Sequence, residues 1–156
     1  MTAMKTIHHY PRRGFTLLEI MVVVIIIGVM LAMAIPGFKA VRERTRVSAF
    51  LNDFRAVKEA INRYNLAEGV YPIGTGSGPP ADFFEYIRAD VITSTTVIGG
   101  NWSVDASSYT FAIGVDGYEV DDELLTQIDS GVDDGNLTTG NMIKTGGSQF
   151  MYIIEE

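Results

Sequence analysis

The chain has no cysteine in its 156 residues, so no disulfide can staple it and no thiolate can serve as nucleophile or zinc ligand. Histidine is almost as scarce. His8 and His9 sit side by side near the start, which leaves nothing beyond them for Ser-His-Asp or Cys-His chemistry or for nitrogen ligation of zinc. Positive charge is thin in the second half: from Tyr64 onward, Arg88 and Lys144 face fifteen acidic residues. Such a surface repels nucleic acid and anionic lipid. Between Ile20 and Ile35 there is no charge of either sign.

What fills that gap is a run of apolar residues. Phe15 to Ile35 is 21 residues long, and at about 1.5 Å per residue a helix of that length crosses the roughly 30 Å hydrocarbon layer of a bilayer. Met21 to Ile27 and Val29 to Leu31 are apolar in near-continuous order, so the helix is hydrophobic all round and calls for lipid or copies of itself on every side. Gly28 and Pro36 are its backbone irregularities, one lacking a side-chain constraint and the other lacking a donor. They predict a kink or a loosened stretch between them. One carboxylate, Glu19, interrupts the run near its start. A charge there costs about 2.5 to 3.5 kcal/mol at the membrane centre, and less near the headgroups, which calls for a partner cation unless the side chain reaches the interface.

Orientation is left open by charge. Lys5, Arg12 and Arg13 precede the span, and Lys39, Arg42, Arg44 and Arg46 follow it with Glu43, so the positive-inside rule finds equal net charge on both flanks. Ala32-Met33-Ala34 also offers a small-x-small site of the secretory type, although the length of the run, the early carboxylate and Pro36 just beyond it oppose cleavage there.

Arg13-Gly14-Phe15-Thr16-Leu17-Leu18-Glu19 with the apolar helix behind it resembles the class III signal of type IV pilins and of the pseudopilins of type II secretion. The resemblance implies that a membrane-embedded prepilin peptidase cuts after Gly14 and that the new amino terminus, on Phe15, is methylated. It implies a fold of the α+β class, a long helix on a small antiparallel sheet. It also implies that Glu19 pairs with the terminal amine of a neighbouring subunit as a helical filament grows, which would fix the axial register between copies. An assembly ATPase and a platform membrane protein would drive that growth. Removal of the leader would take both histidines with it and move the net charge from −7 to −10.

The expected division is a leader at residues 1–14, a transmembrane and filament-core half-helix at 15–36, an amphipathic half-helix at 37–68 and a periplasmic head at 69–156. Val47, Phe50, Phe54, Val57, Ile61 and Tyr64 recur at spacings of 3, 4, 3, 4 and 3, an apolar stripe with Asp53, Lys58, Glu59 and Arg63 opposite. Gly69 should cap the helix, with Tyr71-Pro72 beyond it. The run from Tyr64 to Pro72 resembles the segment closing the long helix of major pseudopilins. Gly74 to Pro80 reads as a crossing loop. In the head the sequence predicts a short helix over 82–88 with Phe83, Phe84 and Ile87 inward. Strands are predicted at Trp102 to Val104 and through Tyr109, Phe111, Ile113 and Val115. A turn at Asp116-Gly117 should lead into Tyr118 to Val120. A helix over 121–128 and a hairpin from Asn141 to Ile154 across Gly146-Gly147 complete it. About 90 residues can bury an adequate core only if the long helix forms a wall of it.

Asp129, Asp133, Asp134 and Asn136 crowd one Gly-rich loop. Oxygen-only donors suit calcium, the spacing is not that of an EF-hand, and a solvated turn is the other reading. Asn101-Trp102-Ser103 and Asn136-Leu137-Thr138 match glycosylation sequons, patterns that recur by chance. Asp121 with Glu123 are neighbours on one helix, not carboxyls facing across a cleft as glycoside hydrolysis requires. No constellation for catalysis is present in the sequence. Three readings remain: a pseudopilus subunit anchored in the inner membrane with its head in the periplasm before assembly, a pilin of a surface fibre for adhesion or motility, and a monomeric binding module on a signal anchor. Arg42, Arg44 and Arg46 would serve headgroups or acidic surfaces of neighbouring subunits.

Overall fold

The computed structural model describes residues 14–74 and 78–155, the side chains of residues 34–36 excepted. The leader with Lys5, Arg12 and Arg13 and the middle of the crossing loop lie outside the described residues. Two compact units divide after Ala40, one spanning residues 1–40 and the other 41–156.

The first helix, α1, covers Leu17–Glu68 and so belongs to both units. It is helical at both Gly28 and Pro36. Proline removes a single N–H from a ladder that continues for more than 30 residues on its far side. In the first unit the apolar residues are open to their surroundings, with Phe15 79% and Leu17 83% exposed. Among the described residues this is the one helix long and apolar enough to cross a membrane.

The second unit is built on the stripe of α1. Phe50, Phe54, Val57, Ile61 and Tyr64 are all buried, and Ala60 joins them. Beyond Gly69, whose positive φ of 75° ends the helix, a 3-10 turn at Ala81–Glu85 and a short helix α2 at Ala89–Thr93 lead to the sheet. The strands are β1 (Asn101–Asp105), β2 (Phe111–Asp116), β3 (Met142–Thr145) and β4 (Gln149–Glu155), with α3 (Asp122–Val132) between β2 and β3. They form one antiparallel sheet in the order β1-β2-β4-β3. Opposed residues share a face, so Trp102, Val115 and Phe150 lie in one row and Val104, Ile113, Tyr152 and Met142 in the next. This is the face that α1 covers: Phe50 stacks on Trp102 at 5.6 Å, Phe54 meets Tyr152 edge-on at 5.2 Å, and Lys58 Nζ donates to the Tyr152 hydroxyl at 2.7 Å.

Three expectations are corrected. The helix over 82–88 is a 3-10 turn at Ala81–Glu85; Phe83 is buried, as is Ile87 beyond the turn, while Phe84 is 36% exposed. At about three residues per turn, positions 83 and 86 align where an α-helix would align 83, 84 and 87. Tyr86 thus takes the inward place of Phe84, and Tyr64 meets Phe83 and Tyr86 edge-on at 5.8 and 5.4 Å. Tyr118 to Val120 is not a strand. Both edges of β2 are occupied, by β1 and β4, so the chain leaves the sheet at Gly117, held there by the backbone bonds Gly117 N–H to Ser148 O at 2.8 Å and Glu119 N–H to Ile98 O at 2.9 Å. Tyr109 precedes β2, because Asp105 Oδ1 accepts the N–H groups of Ser107 and Ser108 and closes a turn.

The centre of the sheet leaves no room at Gly114. A Cβ there would stand 2.0 Å from the Phe150 carbonyl oxygen and 2.6 Å from Met151 Cα, backbone atoms that cannot yield without breaking the β2–β4 ladder. Gly114→Ala is expected to destabilise the protein by about 3 kcal/mol or more. Urea unfolding of the full chain in detergent, followed by fluorescence of the single tryptophan, Trp102, measures it.

Candidate functional sites

At the amino end, Gly14, Phe15 and Thr16 stand ahead of α1 in non-helical backbone. Thr16 caps the helix: the Glu19 N–H lies 3.2 Å from Thr16 Oγ1 and 3.1 Å from Thr16 O, and Ile20 N–H follows at 3.4 Å from the same carbonyl. A hydroxyl accepting from the third helical residue satisfies one of the donors that every helix start leaves over. Glu19 is exposed, two turns or fewer from Phe15 on an otherwise apolar surface. An acidic residue in the first turn also suits the positive end of the helix dipole. The sequence reading missed Thr16, although Thr16-Leu17-Leu18-Glu19 shows the T-x-x-E spacing of a capping box.

In the head, α3 begins at the cap Asp121, whose Oδ1 accepts from Leu124 N–H at 3.0 Å, and runs four residues further than expected, to Val132. The extension puts Asp129 on the apolar face with Leu125 and Ile128, fully buried, and neither carboxylate oxygen has a hydrogen-bond partner. One carboxylate oxygen from each of Asp129, Asp133 and Asp134 lies within 4.8 Å of the others. Burial raises the Asp129 pKa above its ordinary value of 3.8, and the charges of Asp134 and Asp133 raise it further. Asp134 moves the other way, held low by hydrogen bonds from the Thr139 hydroxyl at 2.7 Å and the Asn136 N–H at 2.8 Å. Asp133 Oδ2 accepts from the N–H groups of Asn141 and Met142.

Asn136, the fourth residue proposed for this loop, turns its side chain to Thr138. Its Oδ1 accepts from the Thr138 N–H at 3.2 Å and the Thr138 hydroxyl at 2.8 Å. Gly140 makes room instead: a Cβ there would fall 2.0 Å from Asp133 Oδ2. Three carboxylate oxygens gathered within 4.8 Å of one another are hard donors of the kind calcium takes at bonds of roughly 2.4 Å. The donor set and the orphaned buried carboxylate therefore fit a calcium ion.

Residues 10–35 match the model of the prokaryotic N-terminal methylation motif. The start of the chain thus carries a prokaryotic N-terminal methylation motif. Its sheet and long helix are similar to the major type IV pilin PilA1 from Clostridium difficile, with a TM-score of 0.52 at 14% identity over 71% of this chain and 94% of that one; the fold is pilin-like. Among sequences, the chain is 32% identical over 92 residues to the type IV major pilin protein PilE1 of Neisseria gonorrhoeae, covering 57% of this chain and 41% of that one. It is 36% identical over 63 residues to the type II secretion system core protein G of Pectobacterium carotovorum subsp. carotovorum, 40% of each chain, and 39% identical over 61 residues to that of Escherichia coli K12, 39% of this chain and 42% of that one. The alignments with these three relatives thus span about two fifths of each relative's length.

Proposed function

We propose that this chain is a structural subunit of a type II secretion pseudopilus. It would be cut by a prepilin peptidase between Gly14 and Phe15, methylated on Phe15, held by α1 in the inner membrane with its head in the periplasm, and built through α1 into a helical filament that drives protein export. An assembly ATPase and a platform membrane protein would be its partners. One observation carries the reading: a lone exposed carboxylate, Glu19, in the first turn of α1, with no other charged residue before Lys39, close behind Gly14-Phe15. A charge in that setting calls for a counter-charge from outside its own chain, and the amine freed on Phe15 of a neighbouring copy would supply one. Association of such helices in lipid gains packing but no fresh hydrophobic burial, which fits a filament that needs external work to grow.

The resemblance to core protein G, 36 to 39% identical over the matched stretch, supports the secretion reading over the surface-fibre one. Its rival has support too, in the likeness to PilE1 and PilA1. Shearing whole cells separates them, since a surface fibre appears in the sheared fraction and a periplasmic one stays with the cells. The processing step has its own test. The intact mass and amino-terminal fragment spectrum of the mature protein are expected to give a chain starting at methylated Phe15. A terminus at Ile35 would mean a secreted globular protein and would end the filament reading.

A further inference from the structure

We propose that Thr16 is a positioning residue for the processing step: by capping α1 it holds the Gly14–Phe15 peptide bond outside the helix, where a peptidase can reach it. The inference rests on the processing reading above. In the hydrolysis, water adds to the Gly14 carbonyl carbon and the C–N bond to Phe15 breaks. The products are a carboxylate on Gly14 and an amine on Phe15. The attacking water needs an open approach to that carbonyl, and a helix denies it, because each carbonyl there accepts the N–H four residues on and is flanked by the next turn.

The observed backbone meets this need through one side chain. Residues 14–16 are non-helical, the first carbonyl in the α1 ladder is that of Thr16, and the Thr16 hydroxyl takes the Glu19 N–H at 3.2 Å. Without the hydroxyl the helix has another place to start. Glycine is about as good an N-cap as threonine and far better than valine, so a valine at position 16 favours a start at Gly14. Phe15 would then be the first helical residue, and the scissile bond would join the first turn. The apolar character of Phe15 adds to the tendency, since in lipid a backbone group outside the ladder has no water to bond. Glu19 would remain four residues after Phe15, so the assembly charge pair is untouched by the shift and the two roles separate.

The test uses the full-length precursor in lipid vesicles with a prepilin peptidase, following release of the leader under single-turnover conditions. Thr16→Val keeps the shape and loses the acceptor; Thr16→Ser and Thr16→Asn change the shape and keep one. Capping predicts that Thr16→Val is cut about fivefold more slowly while Ser and Asn are cut like the wild type, with the Leu18 amide, which would bond the Gly14 carbonyl in the extended helix, exchanging more slowly in Thr16→Val than in the wild type. Equal cutting of Thr16→Val and wild type overturns the inference and leaves the processing reading intact. Slow cutting of Thr16→Asn beside normal cutting of Thr16→Val also overturns it, since the peptidase would then be reading side-chain shape. Failure of the wild-type chain to be cut at Gly14 overturns both.

Discussion

Glu19→Gln is expected to abolish incorporation into filaments while leaving the head folded, the leader removed and the subunit in the membrane. Glutamine keeps the size and the hydrogen-bonding atoms of glutamate and deletes the charge. In the free subunit this removes a cost, because the lone carboxylate lies on a surface otherwise composed of Leu17, Leu18, Ile20 and Met21. In the filament it removes the attraction that offsets that cost and strands the neighbour's Phe15 amine. A charge near the membrane interior carries about 2 kcal/mol of penalty even on the lenient insertion scales, and about 1.4 kcal/mol is a tenfold change in an equilibrium. Each docking step therefore weakens by more than tenfold, and a polymer multiplies the defect at every addition. Sedimentation or cross-linking of membrane extracts reads assembly, and Trp102 fluorescence against Phe50, 5.6 Å away, reads the head. Wild-type polymer from Glu19→Gln would overturn the charge pair as the basis of assembly, whereas unchanged function with no polymer in either chain would leave the signal-anchored monomer, because an anchor has no use for that charge.

Elements set by local periodicity and backbone chemistry could be read from the residues alone. The 3-4 spacing from Val47 to Tyr64 marked the buried face of α1, Gly69 marked its end, and Gly146-Gly147 marked the β3–β4 hairpin. What could not be read depended on distant partners. Tyr118 to Val120 has the composition of a strand, but only the strand order shows that β2 has no edge left for it. Phe84 gave way to Tyr86 because a 3-10 turn and an α-helix put different residues on one side, and the Tyr64 ring that receives Tyr86 lies 22 positions earlier in the chain. Ala60 is fully buried, yet a small side chain leaves no mark in a hydrophobic stripe. At the candidate sites the contrast is similar. Gly14, Phe15 and Glu19 announce themselves by motif, whereas Thr16 acts through a hydroxyl contact that is ordinary in composition. The acidic residues near 133 were visible as a cluster, but the burial of Asp129 follows from α3 running on to Val132.

That burial makes Asp129 the point at which ion binding can be told from a merely solvated loop. A fully buried carboxylate with no partner beside two others destabilises the empty protein by about 1 to 3 kcal/mol. Its raised pKa sets the sign. The folded chain holds the proton more tightly than the unfolded one, so stability declines as pH rises from the ordinary carboxyl value of 3.8 through the raised folded value, and the full penalty stands above it. In chelator, Asp129→Asn should therefore melt several degrees higher than wild type at pH 7, and the difference should fade as pH falls to about 4. Calcium should reverse the ranking. An ion touching Asp129, Asp133 and Asp134 turns the repulsion into ligation, and at a hundredfold excess over its dissociation constant it contributes about 2.7 kcal/mol. Wild type should gain that stability at millimolar calcium, and Asp129→Asn, with a neutral amide in place of the buried ligand, should gain almost none. Magnesium should do less for wild type, because it demands near-octahedral bonds of about 2.1 Å and gives up its waters reluctantly, whereas calcium accepts a flexible set of oxygens. A wild-type melting temperature that ignores calcium while Asp129→Asn stabilises the chain would identify the loop as a solvated turn carrying one badly placed acid. Loss of the calcium response in Asp129→Asn alone would identify it as a metal site whose deepest ligand comes from the last turn of α3.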